Sequence, residues 1–127
     1  MWLKLVCCEK EYWDFVLLLR NNLSSGFIEQ KTISVTEHYN FMEMNHTSYY
    51  IALDNNIPVG WVGQINGDIR VATHPDHQNK GVGKFMINQL MKIYPNAFAK
   101  VKLENEASLK LFESCGFKKK FYILENQ

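Results

Sequence analysis

His74-Pro75-Asp76-His77-Gln78-Asn79-Lys80-Gly81-Val82-Gly83-Lys84 joins a run of strand character to a run of helical character, and the rest of the chain takes its place around that junction. Before it, Ile69, Val71 and Thr73 alternate with Asp68, Arg70 and Ala72, the period-2 pattern of a half-buried strand. After it, Val82, Met86, Leu90 and Ile93 recur at helical spacing until Pro95 ends the segment. Gly81 and Gly83 let backbone approach a ligand closely, and the first N–H groups of a helix point outward without partners. Such an end binds an anion, the helix dipole adds to it, and Lys80 and Lys84 bring positive charge. A diphosphate suits this nest. The same residues could equally form a glycine-containing connection with no ligand.

Two common phosphate loops are excluded. A Walker loop requires GxxxxGK[ST], but Gln78 stands where the first glycine belongs and Phe85 follows Lys84. A dinucleotide fingerprint requires GxGxxG after the first strand of a βαβ unit, and here the third glycine is missing.

Upstream, Asn66-Gly67 between two apolar runs signals a tight hairpin, and Asp54-Asn55-Asn56 separates the strands 49–53 and 58–65, making a meander. Residues 3–7 read as a short strand. A helix follows over 9–20, with Tyr12, Phe15, Val16 and Leu19 on one face, and the turn-rich stretch 21–26 ends it. Ser34-Val35-Thr36-Glu37 has the form of a capping box, predicting a second helix over about 35–44. Downstream, 97–103 reads as a strand and 105–114 as a helix with Asn105 at its N-cap. Gly116 is its left-handed C-cap, and 117–124 is a last strand. The order implies one mixed sheet covered by helices, in a single domain spanning 1–127.

Composition limits the function classes. With 46% hydrophobic and 21% charged residues the chain can bury a core without staples. A net charge of +1 argues against nucleic acid as the main partner. The run Lys118-Lys119-Lys120 reads as a solvated strand or turn. Cys7, Cys8 and Cys115 form neither a CxxC pair nor a metal-ligand cluster, so no metal is expected and the thiols suit a reducing cytoplasm. No apolar run is long enough to span a membrane, and the opening residues are too short for a signal segment.

The pattern Gln78-x-x-Gly81-x-Gly83, with its preceding strand, its His-Pro-Asp entry and the helix behind, closely resembles motif A of the GNAT superfamily of acyl-CoA N-acyltransferases. Residues 105–117, a helix closing on Gly116-Phe117, resemble that family's motif B, and the element order fits over nearly the whole chain. The resemblance implies an α/β fold of the α+β type, with a mixed, mostly antiparallel central sheet flanked by helices. It also implies an enzyme that moves an acetyl group from acetyl-CoA to the primary amine of a small acceptor.

By the same resemblance, backbone N–H groups of Gln78, Asn79, Lys80, Gly81, Val82, Gly83 and Lys84 would hold the CoA diphosphate. The strand carrying Val71, Ala72 and Thr73 would part from 97–103 and admit the pantetheine arm, which Asn105 would touch. An N–H near Thr73 would hold the developing oxyanion. The family's usual acid is a tyrosine on the motif B helix, and Phe112 stands in its place. Ser108 or a water would then substitute, or the domain binds acyl-CoA and catalyses poorly. Asp68 and His74 are the candidate bases, with a water chain as the alternative; Asp68 also suits the turn, and His74 could merely shape the loop. The acceptor pocket is expected between the first two helices and the meander, lined by Tyr49, Tyr50 and Trp61. Arg70 would face a phosphate or carboxylate there, which suits an amino-sugar nucleotide. The resemblance leads one to expect a further strand after motif B, so an unpaired sheet edge would invite a homodimer.

Overall fold

A computed structural model describes residues 1–22 and 32–127. The part of the expected turn that falls at 23–26 lies outside the described residues. The elements run β1 (Leu3–Cys7), α1 (Trp13–Asn22), α2 (Val35–Asn45), β2 (Tyr49–Asp54), β3 (Ile57–Ile65), β4 (Asp68–Thr73), α3 (Val82–Ile93) and α4 (Glu106–Ser114). The four strands form one antiparallel sheet in the order β1-β2-β3-β4. Short 3-10 turns precede α1 at Lys10–Tyr12 and β2 at His46–Ser48, so the first helix begins later than its periodicity suggests.

Local chemistry accounts for most boundaries. Ser34 caps α2, its hydroxyl accepting from the Glu37 N–H at 3.2 Å and donating to the Glu37 carboxylate at 3.0 Å. Asn66 and Gly67 both take positive φ, 52° and 86°, as a two-residue turn between β3 and β4 requires. Asn105 caps α4 by accepting from the Ser108 N–H at 3.1 Å, and Gly116 leaves that helix at φ 93°.

The sheet lies between two helix layers. Tyr49, Ile51, Leu53, Trp61 and Ala72 face α1 and α2, packing with Trp13, Val16, Leu19 and Met42. Ala52, Val59, Val62 and Ile69 face α3 and α4, packing with Val82, Met86, Ile87, Leu90 and Phe112. A bulge reconciles the two sides of β3. Ala52 pairs with Gly60 but Leu53 pairs with Pro58, which leaves Val59 as the extra residue and puts it on the same face as Val62.

Two expected strands are corrected. Residues 97–103 form no strand; their one ladder contact is a parallel bridge between Phe98 and Asp68. Ala97, Ala99 and Val101 pack against the α3–α4 core while Phe98 and Lys100 stay exposed, so the period-2 pattern is real but lacks a backbone partner. Residues 117–124 likewise form no ladder with another strand among the described residues and leave Phe121, Tyr122, Ile123 and Leu124 exposed. Alternation reports which side is apolar; a neighbouring chain makes a strand.

His38 of α2 is fully buried, and its Nε2 donates to the Trp13 carbonyl of α1 at 2.7 Å. Burial holds its pKa below the usual 6.5, so the folded protein keeps the ring neutral. The unfolded chain binds a proton as pH falls below that value, and the folded chain resists it. Stability is therefore full above pH 6.5 and is lost as pH drops toward the lower folded pKa. Thermal melts should fall between about pH 7.5 and about pH 5, and His38→Gln should flatten that slope.

Candidate active site

The outer edge of β4 is open beyond Ile69. Ile69 N–H donates to the Phe98 carbonyl at 2.8 Å, and Phe98 N–H donates to the Gly67 carbonyl at 2.8 Å. Because successive residues of a strand point their amides to opposite sides, Val71 and Thr73 face the same outer side as Ile69. Asp68, Arg70 and Ala72 turn their amides inward to β3, in register with Ile65, Gly63 and Trp61. Beyond Phe98 the chain diverges, and the outward N–H groups of Val71 and Thr73 find no backbone partner among the described residues. This unpaired stretch between β4 and 99–103 is termed the wedge.

The wedge leads to the start of α3. After β4, Pro75–His77 form a 3-10 turn, and then Asn79 and Gly81 adopt left-handed conformations at φ 62° and 85°. Gly81 is the N-cap and has no side chain to offer, so the first intrahelical bond is Phe85 N–H to the Gly81 carbonyl at 3.0 Å. The N–H groups of Val82, Gly83 and Lys84 have no intrahelical acceptor, and Lys80 and Lys84 are exposed beside them. Gly83 serves a second purpose. A Cβ there would meet Leu111 Cδ2 of α4 at 3.0 Å and Thr73 Oγ1 at 3.7 Å, so its absence lets α4 and the end of β4 close on the loop.

The two candidate bases sit far apart. Asp68 opens β4 beside the hairpin and His74 follows its end, so six strand steps separate them by roughly 20 Å. One reacting centre cannot use both directly. His74 Nδ1 accepts from the Asp76 N–H at 3.1 Å, which leaves the neutral ring's proton on Nε2 and commits its lone pair to the loop. Asp68 is half-buried at the mouth of the wedge. Ser108 is half-buried on the first turn of α4. Phe112 lies in the core, its ring edge-to-face with Phe117 at 5.2 Å, and brings no hydroxyl.

On the opposite face a row of residues crosses three strands. Tyr49 pairs with Gly63, and Gly63 pairs with Arg70. A Cβ at Gly63 would fall 2.7 Å from Tyr49 Cγ, so the tyrosine ring lies over the glycine. The Tyr49 hydroxyl is buried with no geometrically formed hydrogen bond. Burial raises its pKa, and the nearby Arg70 guanidinium opposes that rise. No carboxylate pairs with Arg70 among the described residues. The sequence placed Tyr49 and Arg70 near one pocket, but their link through Gly63 depends on register and was invisible; the only signal was a glycine inside a strand.

Fold and site together present an open strand edge that is followed by a glycine loop and a helix start with free N–H groups. The profile of the acetyltransferase (GNAT) family matches residues 13–117, and the chain belongs to that family of acyl-transferring enzymes. No curated protein sequence matches it significantly. Among solved structures, spermidine N-acetyltransferase from Vibrio cholerae, in complex with CoA and spermine, superposes with a TM-score of 0.79 at 22% identity. That match covers 98% of this chain and 85% of that one. AAC(6')-Iy with a bisubstrate analogue gives 0.78 at 15% identity, covering 100% of this chain and 98% of that one. A phosphinothricin acetyltransferase from Sinorhizobium meliloti, in complex with AcCoA, gives 0.80 at 15% identity, covering 93% and 76%. At these identities the likeness establishes the fold. Among the described residues no cluster could hold a metal ion, and no helix is long and apolar enough to cross a membrane.

Proposed function

We propose that this protein transfers the acetyl group of acetyl-CoA to the primary amine of a small acceptor by direct attack. The observation that carries this reading is two sets of donors without a backbone acceptor among the described residues, the outward N–H groups of Val71 and Thr73 and, past the intervening loop, those of Val82, Gly83 and Lys84. Acetyl-CoA supplies the activated acyl carbon, and solved relatives in complex with CoA or AcCoA support it as co-substrate. The loop from Gln78 to Lys84 would take the diphosphate, with Lys80 and Lys84 adding charge. The edge at Val71, Ala72 and Thr73 would pair with an amide-bearing arm as an added strand does, and Asn105 would touch that arm from across the wedge. The Val71 or Thr73 N–H would stabilise the oxyanion. As the C–N bond forms and the C–S bond breaks, the amine loses one proton and the sulfur gains one. Asp68, directly or through water, would accept the first. Phe112 offers no acid for the second, which leaves Ser108 or a water.

Thiol release measured with a panel of amines tests the reading. Asp68→Asn should lower kcat/KM at least tenfold, about 1.4 kcal/mol of transition-state stabilisation, with CoA affinity unchanged. Phe112 favours a second reading, a module that binds acyl-CoA without turnover. Stabilisation by CoA with no release from any amine would select it, and neither effect would sink both.

For the acceptor, the row of buried Tyr49 and Gly63 and half-buried Arg70 supports an amine that also carries a phosphate or carboxylate, such as an amino-sugar nucleotide. Arg70→Ala should raise KM for such acceptors tenfold or more, the scale of one charge-assisted hydrogen bond, without changing the Kd for CoA. Three free thiols, with the Cys8 pKa pushed up to about 12 by burial, suit work in the cytoplasm. The open sheet edge supports a homodimer.

A further inference from the structure

We infer that the acceptor amine carries a phosphoryl group, as a monoester or a diphosphate, and that Arg20 of α1 joins Arg70 and the Tyr49 hydroxyl in holding it. The inference rests on the acetyl-transfer reading and narrows its acceptor from an anion-bearing amine to a phosphorylated one. The three groups come from three elements and meet on the α1–α2 face of the sheet. Tyr49 and Arg70 flank Gly63 in adjoining strands, and the tyrosine ring lies over that glycine, so its hydroxyl reaches toward β4. Arg20 approaches from α1. Its guanidinium carbon lies 4.9 Å from the centre of the Phe41 ring, and that ring meets Tyr49 edge-on with centroids 5.9 Å apart. The charges of Arg70 and Arg20 both act on the Tyr49 hydroxyl, each opposing the effect of its burial.

The hydroxyl is the group that asks for a ligand. Tyr49 is 1% exposed, and its O–H has no acceptor among the described residues. A guanidinium only donates, so Arg70 cannot take that proton, and a buried donor left without an acceptor is costly. The acids of the neighbouring helices are committed elsewhere: Asp14 accepts from the Tyr39 hydroxyl at 2.7 Å and Glu37 from the Ser34 hydroxyl at 3.0 Å. Two guanidiniums and one hydroxyl offer donors from three directions. A carboxylate has its two oxygens in one plane, whereas a phosphoryl group spreads its acceptor oxygens over several directions and carries up to about two negative charges. Both arginines are half-buried, so their charge is screened less than on the open surface. A polyamine brings only positive charge, and the same two side chains repel it.

Calorimetry on the full chain, with CoA at saturation to occupy the α3 loop, tests this with inorganic phosphate as the probe and acetate at equal ionic strength beside it. Phosphate should bind at least about tenfold more tightly than acetate. Arg20→Gln and Arg70→Gln should each weaken phosphate at least about tenfold and leave the Kd for CoA unchanged. Tyr49→Phe, which keeps the ring over Gly63, should weaken it about fivefold. Absence of phosphate binding, or equal binding of acetate, overturns the inference. So does phosphate affinity that survives in Arg20→Gln, or that is lost only in Gly81→Glu and therefore belongs to the loop. If Arg20→Gln no longer melts cooperatively, Tyr49→Phe decides, and phosphate affinity equal to the parent's overturns the inference. Phosphate binding that follows these variants, with no thiol release from any amine, sinks only the acetyl-transfer reading. Thiol release as fast with plain amines as with phosphorylated ones sinks only the phosphate site.

Discussion

Gly81→Glu should abolish CoA binding while the fold survives. The residue sits at φ 85°, and a Cβ placed on it meets no atom within 4 Å, so the side chain has room but the backbone is strained. That strain costs about 1–2 kcal/mol, a small shift in melting temperature. The larger effect is electrostatic. The new carboxylate would sit at the positive end of α3, able to take the N–H groups of Val82, Gly83 and Lys84 for itself and to repel a diphosphate. Calorimetry should show the Kd for CoA rising at least about a hundredfold, some 2.7 kcal/mol. Gly81→Asn is the control. The chain already holds Asn55, Asn56, Asn66 and Asn79 at positive φ, so asparagine should keep affinity within a fewfold. Unchanged CoA affinity in Gly81→Glu would remove the loop from the site.

Gly63→Val should cost more stability than any surface change. Its Cβ would lie 2.7 Å from Tyr49 Cγ and 2.8 Å from the Ser48 carbonyl oxygen, a buried ring on one side and backbone on the other. Neither neighbour can yield cheaply, because Tyr49 also packs against Trp61 at 5.5 Å and Phe41 at 5.9 Å. A loss of about 3 kcal/mol, roughly 10 °C in melting temperature for a domain of this size, is expected. Tyr49→Ala in the same chain should recover part of it, because the cavity admits the added methyls. If Gly63→Val melts with the parent protein, the row across β2, β3 and β4 is looser than described.

Opposite ends of β4 show how far the site could be read in advance. The pattern 68–73 and the loop behind it named Val71, Thr73 and Gly81 as one neighbourhood, and the structure sets the two strand residues and the glycine along a single path. The same reading offered Asp68 and His74 as alternatives at the two ends of that strand, and the structure keeps a whole strand between them. It also singled out Phe112 as standing where the family's acid is usual, and the ring is buried beside Phe117.

The sequence by itself determined the elements whose cause is local: the Asn66-Gly67 turn, the capped helices α2 and α4, the amphipathic α3 and the glycine loop that opens it. In each, the deciding contacts lie within a few residues, so composition and spacing are sufficient. Only the tertiary structure decided what depends on a distant partner. Residues 97–103 and 117–124 have strand composition but, apart from the bridge at Phe98, no ladder partner among the described residues. The outward N–H groups of Val71 and Thr73 follow from the register of β4 on β3 and its single bridge to Phe98. A side chain's pattern shows which face is apolar, whereas pairing and exposure belong to two pieces of chain at once, and no single stretch of residues carries that information.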